Sequence, residues 1–301
     1  MSSTSTSIEW CDATWNPLRG CSRVSEGCRN CYAARVASRF SGEGMPYEGL
    51  AHNGKWTGKV QLVEDALRLP LTWKKPKFIF VNSMSDLFHE SVPDEWIDRI
   101  LSVMVAAPQH TFQILTKRAE RMRAYISEET RRRNFIAGWF KGNHNRDATS
   151  LATELNEWPI PNVWFGVSVE DEPTAGERLP HLLRAPAAIR FVSYEPALAA
   201  VDFAPYLPHW GPRIGLDLII FGGESGPGAR PCNVAWARSV IAQCKAAGVA
   251  CFVKQLGAKP TTDHRTRPPG EDWTWPDGLR DRKGGDMSEW PEDLRVREFP
   301  K

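Results

Sequence analysis

The clearest pattern along the chain is a series of short apolar runs separated by stretches with helical periodicity. Six runs are rich in β-branched and aromatic residues and are continuous rather than alternating, which is typical of strands buried on both faces of a parallel sheet. They are residues 78–81, 112–115, 163–167, 190–193, 218–221 and 251–253. A seventh, weaker strand is predicted before them at residues 8–10.

Between the strands, apolar residues recur at helical spacing. Helices are predicted over residues 31–40, 94–106, 117–126, 174–183 and 234–247, and the last of these is ended by Gly248. Strand starts recur at intervals typical of βα units. The alternation predicts an α/β fold, a partial or full parallel (β/α) barrel of the TIM type.

Two segments do not follow this alternation. A charged, partly helical insertion is predicted at about residues 127–157, and residues 258–301 lack any periodicity. The second segment contains Trp273, Trp275 and Trp290, which are many aromatic residues for a disordered tail. We therefore predict a barrel domain over residues 1–257, followed by an irregular extension over residues 258–301 that packs on the barrel as a strap.

Composition limits the environment and the partners. The chain of 301 residues is 42% hydrophobic and 25% charged with a net charge of +2, so no global attraction to nucleic acid is expected. No apolar stretch approaches the about 18 residues of a membrane span, and residues 1–7 lack a signal-peptide pattern. We expect a cytoplasmic protein without a membrane partner. The 13 tryptophans and local basic clusters at 117–118 and 131–133 keep nucleic acid as a possible partner.

Seven cysteines without a secretion signal argue against a disulfide framework. Cys21, Cys28 and Cys31 form a C-x6-C-x2-C loop, and thiolates are ligands that favour zinc and iron–sulfur clusters. We predict that these three cysteines are metal ligands, and that they hold a [4Fe-4S] cluster with one iron open to a further ligand. A zinc site is the alternative, with Cys11 as a fourth ligand if the site is closed.

Polar residues follow the predicted strands, where parallel α/β folds place their sites. The predicted cofactor-binding residues are Asn82, Ser83, Ser85, Glu170, Gly222, Gly223, Glu224 and Ser225, and the predicted catalytic residues are Asp86, Glu195 and Lys254. The glycine run at 222–226 is not a G-x-G-x-x-G dinucleotide fingerprint, so a tight turn is its alternative interpretation. Helix capping is the alternative for Asp86.

Taken together, the cysteine loop and the segments 8–10, 14–17, 82–88, 193–196, 222–226 and 253–255 resemble a phage-associated three-cysteine-motif family. That family is in turn similar to the radical S-adenosylmethionine (SAM) enzymes. The resemblance implies a partial α/β barrel in which three thiolates hold a [4Fe-4S] cluster whose fourth iron chelates SAM. Reductive cleavage of SAM then gives a radical that abstracts hydrogen from the substrate.

The first functional hypothesis is therefore a radical SAM-like [4Fe-4S] enzyme that modifies or repairs a nucleic-acid or nucleotide substrate. The second is an iron–sulfur or zinc protein that binds nucleic acid without turnover. The third is a barrel whose zinc is structural and which binds a partner protein.

Overall fold

The computed structural model describes residue 6 and residues 8–128, 158–208, 215–262 and 279–300. Almost all of the predicted charged insertion, including the basic cluster at 131–133, lies outside the described residues, and so do Trp273 and Trp275. The described residues form an α/β fold with a seven-stranded parallel sheet.

The strands and their order confirm the repeating pattern of the sequence. In chain order they are β1 (Ala13–Trp15), β2 (Leu18–Arg19), β3 (Ala51–His52), β4 (Lys55–Trp56), β5 (Gln61–Leu62), β6 (Phe78–Val81), β7 (Thr111–Thr116), β8 (Val163–Val169), β9 (Ile189–Tyr194), β10 (Leu218–Gly222), β11 (Cys232–Asn233), β12 (Ala250–Gln255) and β13 (Pro260–Thr261). The large sheet has the order β1-β6-β7-β8-β9-β10-β12. Every residue of β8 and β10 is buried, which explains why these strands are continuous apolar runs.

The prediction of a first strand at residues 8–10 is wrong. The backbone N–H of Cys11 donates to the carbonyl of Ile8 at 3.3 Å and closes a turn there. Trp10 packs its ring against Phe80 at a centroid distance of 4.6 Å instead of extending the sheet. The strand that pairs with β6 starts three residues later, at Ala13.

The helices are α1 (Tyr32–Ser38), α2 (Glu64–Leu67), α3 (Asp94–Val105), α4 (Ala119–Ser127), α5 (Glu172–Arg184) and α6 (Val234–Ala247). Asn233 caps the start of α6, since its side chain accepts from the N–H of Ala235 at 2.9 Å. Gly248 ends α6 with a φ of 68°, a conformation that glycine adopts without strain. In the described part of the chain, no helix is long and apolar enough to cross a membrane.

The contacts divide the chain into two compact units. The first comprises residues 1–24, 31–166 and 184–189, and the second comprises residues 25–30, 167–183 and 190–301. The first contains β1, β6 and β7, and the second contains β10, β12 and α6. The predicted domain boundary at residue 257 stays a prediction, and residues 258–262 and 279–300 cluster with β12 in the second unit.

Within the second unit, residues 279–300 attach to β12 and the turn after it. The N–H groups of Val253 and Leu256 donate to the carbonyls of Val296 and Gly284, both at 2.8 Å. Trp290 is fully buried, and its indole N–H donates to Gly284 at 3.0 Å. This segment therefore contributes both backbone hydrogen bonds and a large apolar side chain to the second unit.

We predict that Trp290→Ala destabilises the protein by about 3–5 kcal/mol, because it removes a large buried ring and leaves a cavity. Urea denaturation followed by circular dichroism measures the change. Phe299→Ala is the control, since this ring belongs to the same segment but is 37% exposed and should cost clearly less. Equal losses for the two variants would contradict the packing described for Trp290.

Candidate functional site

The cysteines fall into two groups by exposure. All seven lie in the described ranges, and none of them forms a disulfide bond. Cys232, Cys244 and Cys251 are buried in the second unit, as expected for core residues. Cys11 and the three cysteines of the loop are half-buried. The loop cysteines are therefore less buried as residues than the core cysteines, although the Cys21 thiol itself is largely shielded.

In the first unit, the start of the cysteine loop is held by Arg118, which follows β7. Its Nη1 donates to the Cys21 sulfur at 3.6 Å, and its Nη2 donates to the carbonyl and the hydroxyl of Ser22 at 3.3 and 2.7 Å. The backbone carbonyl of Cys21 accepts from Gly58 at 3.1 Å. One guanidinium therefore fixes both the side chain of Cys21 and the residue after it.

Arg118 is itself held by a buried carboxylate. Its Nη1 lies 3.1 Å from Asp86 Oδ2, and both side chains are less than a tenth exposed. Asp86 also accepts from the Thr116 hydroxyl at 2.7 Å and from the N–H of Lys117 at 3.1 Å, while Nε of Arg118 reaches Glu90 at 3.1 Å. Asp86, a predicted catalytic residue, is thus placed where it orients Arg118 and the end of β7.

His89 completes this network. Its Nδ1 accepts from the N–H of Ser91 at 3.1 Å, so Nε2 carries the proton and donates to the Ser22 hydroxyl at 2.8 Å. Burial lowers the pKa of His89 below its ordinary value, and the neighbouring Arg118 lowers it further. The imidazole is therefore neutral near pH 7 and acts as a hydrogen-bonding support of the loop.

The Cys21 thiol carries its proton in this arrangement. Burial raises its pKa to about 12 and the charge of Asp86 adds to that rise, whereas Arg118 lowers the pKa. A metal binds the thiolate and must displace this proton. Arg118 is the group that favours the thiolate, since its cation lies beside the sulfur.

The predicted strand-end residues after β6 hold the segment that leads to the loop. Asn82 accepts from the N–H of Leu18 at 3.3 Å, and the Ser85 hydroxyl donates to the Leu18 carbonyl at 3.0 Å. The Ser83 hydroxyl donates to Asn16 at 3.1 Å, and its backbone carbonyl accepts from the Tyr32 phenol at 2.9 Å. These side chains therefore position the chain on both sides of Cys21.

In the second unit, Glu170 holds residues from the middle of the loop. Its Oε1 accepts from the Ser25 hydroxyl and from Arg178 Nη1, both at 3.1 Å, and the Glu170 and Arg178 side chains are almost fully buried. Gly27 lies so close that a Cβ there would be 2.5 Å from Glu170 Cγ. Only glycine allows the loop this approach to the carboxylate.

Glu224 holds the end of the same loop segment. Its carboxylate accepts from Asn30 Nδ2 at 3.0 Å and from the Arg230 backbone N–H, Nε and Nη2 at 2.8, 2.9 and 2.6 Å. Arg230 also lies 3.8 Å from Glu26. Burial raises the pKa of Glu224, but the hydrogen bonds from Arg230 and Asn30 outweigh it and hold the pKa below the ordinary value.

The glycines at the end of β10 allow other parts of the chain to pack closely against the backbone. A Cβ on Gly223 would lie 2.3 Å from the Leu256 carbonyl oxygen, and one on Gly222 would lie 3.1 Å from Glu195 Cδ. The Gly223 carbonyl accepts from Gln255 Nε2 at 2.8 Å. Close packing against Leu256 and Glu195 accounts for the two glycines, and the predicted binding roles of Gly222, Gly223 and Ser225 stay predictions.

Two predicted catalytic residues meet in the second unit. Lys254 Nζ lies 2.6 Å from Glu195 Oε1, and the side chains are 16% and 22% exposed. Gln255 Nε2 is 3.5 Å from the same oxygen. A carboxylate and an ammonium group are thus paired at the ends of β9 and β12, and both remain partly exposed. Asp86 belongs to the first unit.

Arg118, Arg178, Arg230 and Asn30 were not among the predicted site residues. Arg118 directly follows a strand, and that position was the one available signal for it. Arg178 lies within α5 and Arg230 beyond the glycine run, where nothing in the sequence pairs them with Glu170 and Glu224.

The donor chemistry of the loop suits a soft metal, but its arrangement does not present a finished metal site. Across the described ranges, no group of three or more Cys, His, Asp and Glu side chains is arranged to hold a metal ion.

The chain belongs to the family described as Protein of unknown function (DUF5131), whose model matches residues 5–280. No curated protein and no solved structure was found to match the chain.

We predict that Arg118→Met destabilises the protein by about 3–5 kcal/mol, because Asp86 is left as a buried charge without its cation. Urea denaturation gives the free energy of unfolding. Arg99→Met is the matched control: Arg99 pairs with the exposed Glu64 at 2.5 Å, and such pairs contribute about 0–1 kcal/mol. Combining Arg118→Met with Asp86→Asn should cost less than the sum of the single variants, and additive losses would contradict the coupling.

We predict that Glu224 makes the protein less stable in acid. Its folded pKa lies below the ordinary value of 4.5, so the ionised carboxylate stabilises the fold above that pH, and this stabilisation is lost as the pH falls through the folded pKa. Glu224→Gln should be less stable than wild type near pH 7 and lose less on acidification from about pH 6 to about pH 3. Parallel pH profiles of unfolding free energy for the two proteins would refute the assignment.

Proposed function

We propose that the chain is an iron–sulfur enzyme of the radical SAM type, in which Cys21, Cys28 and Cys31 bind a [4Fe-4S] cluster. On this proposal the sheet forms a partial (β/α) barrel, SAM is the second cofactor, and the substrate is a nucleotide or nucleic acid that is modified or repaired. The cluster supplies the electron that this chemistry needs.

The observation that carries the proposal is the contrast among the cysteines. Three thiols of an eleven-residue segment are half-buried, whereas Cys232, Cys244 and Cys251 are buried in the core. Core thiols act as small hydrophobic groups, so the less buried cysteines of the loop are the candidates for metal binding. The spacing of these three cysteines is the feature shared with the three-cysteine-motif family.

The polar groups around the loop support the same proposal. Each part of the loop is held within its own unit by a carboxylate and an arginine: Asp86 with Arg118, Glu170 with Arg178, and Glu224 with Arg230. Loops that only connect two elements rarely need several buried ion pairs, because each pair has a desolvation cost.

On this proposal, the substrate is bound by the pair of Glu195 and Lys254 together with Gln255. These groups offer an acceptor, a cation and an amide at the ends of β9 and β12, the two strands that flank β10. Such a set suits a polar, hydrogen-bonding substrate such as a nucleotide.

We predict that protein reconstituted anaerobically with iron and sulfide binds about four of each per chain, and that Cys28→Ala abolishes this binding. Cys11→Ala is the matched control, since Cys11 is equally accessible but lies outside the loop, and it should retain the cluster. Reduction in the presence of SAM should release 5′-deoxyadenosine.

A colourless, iron-free protein that holds one zinc ion would overturn the proposal. Loss of metal in both cysteine variants would indicate a four-cysteine site. A stable cluster without 5′-deoxyadenosine release would favour an iron–sulfur protein without SAM turnover.

A further inference from the structure

Exposed apolar side chains concentrate next to the cysteine loop in the first unit. In the described part of the chain, seven large hydrophobic side chains are exposed, and five of them lie within residues 24–45. They are Val24, Tyr32, Val36, Phe40 and Met45. Of these, Tyr32 and Val36 lie on one face of helix α1, and a contiguous exposed apolar face marks an interaction surface, whereas single exposed residues are ordinary.

Helix α1 presents this surface because its other face is occupied. Ala33, Ala34 and Ala37 are buried, and the helix packs on β3 and β4. Tyr32 and Val36 lie one turn apart on the helix, and Phe40 follows in the turn that ends it. The Tyr32 and Phe40 rings are 51% and 49% exposed.

The Tyr32 ring is fixed although it is exposed. Its phenol donates to the Ser83 carbonyl at 2.9 Å, which anchors the tip of the side chain and leaves half of the ring in solvent. A pre-oriented ring loses little conformational entropy when a ligand stacks on it.

The stretch of sequence that contains the two rings has more basic than acidic residues. Residues 31–60 contain four basic residues and two acidic ones, so this stretch alone carries the net charge of +2 that the whole chain has. Arg39 is exposed beside Phe40, and Lys55 is exposed on β4, the strand under α1. Exposed rings next to cations match the two components of a single-stranded nucleic acid, its bases and its phosphates.

We propose that the surface formed by Tyr32, Val36, Arg39 and Phe40 binds single-stranded nucleic acid, with bases stacked on the two rings and a phosphate paired with Arg39. The inference deepens the proposed function by naming the substrate class and rests on it for that role. Binding itself requires no cluster, since none of the four residues is a cysteine.

The test is fluorescence anisotropy with a labelled single-stranded DNA of mixed sequence and about 20 nucleotides, longer than one such binding site. Phe40→Ala should weaken binding about tenfold through the loss of one stacked base, and Phe40→Trp should retain it. Arg39→Gln should lower the slope of log affinity against log salt by about 0.7, the value for one phosphate contact. Phe299→Ala, an exposed phenylalanine of the second unit, should bind as wild type does.

Iron content, measured on the same samples, separates the two proposals. Wild-type affinity in cluster-free Cys28→Ala protein would support the surface even if the cluster proposal failed. The surface proposal is overturned by absence of binding at low salt, or by equal affinity of wild type and Phe40→Ala. It is also overturned if Phe40→Ala instead abolishes binding to phosphatidylserine vesicles or self-association in sedimentation.

Discussion

The pairing of Arg118 with Asp86 is the contact on which the start of the cysteine loop depends. A guanidinium and a carboxylate both lose their hydration on burial. The hydrogen bonds between them replace the ones that each made with water. Asp86 also accepts hydrogen bonds from Thr116 and Lys117 at the end of β7. The other donors of Arg118 bind Cys21 and Ser22. The position of the Cys21 thiol is therefore set by an electrostatic requirement of the core.

The second unit uses the same device twice. Glu170 with Arg178 and Glu224 with Arg230 each leave acceptor capacity that is used by a loop residue, Ser25 in one case and Asn30 in the other. Residues at the ends of parallel strands often bind ligands in α/β folds. In this chain several of them bind the loop itself. The partly exposed pair of Glu195 and Lys254 differs, since none of the described hydrogen bonds joins it to the loop.

The sequence predicted the fold well because burial on both faces requires apolar runs, and these runs survive as β6 to β10 and β12. It misplaced the first strand because Trp10 has the β propensity of a strand residue, while its ring is used to cover Phe80. It located polar residues such as Asp86 and Glu224 at strand ends and predicted a catalytic and a cofactor-binding role for them, respectively, and these roles stay predictions. It did not predict their contacts with arginines and loop residues, whose proximity depends on the folded chain and leaves no local pattern.

The sequence distances spanned by these anchors have a consequence for how the protein is made. The contacts of Cys21, Ser25 and Asn30 bridge 97, 145 and 194 residues, respectively. The loop is translated early, and its last anchor follows about 10 to 40 s later at the usual rate of synthesis of about 5–20 residues per second. During that interval the contact of Asn30 with Glu224 cannot form, because its partner has not yet been synthesised. The hydrogen bonds that hold the loop are therefore completed only when most of the chain exists.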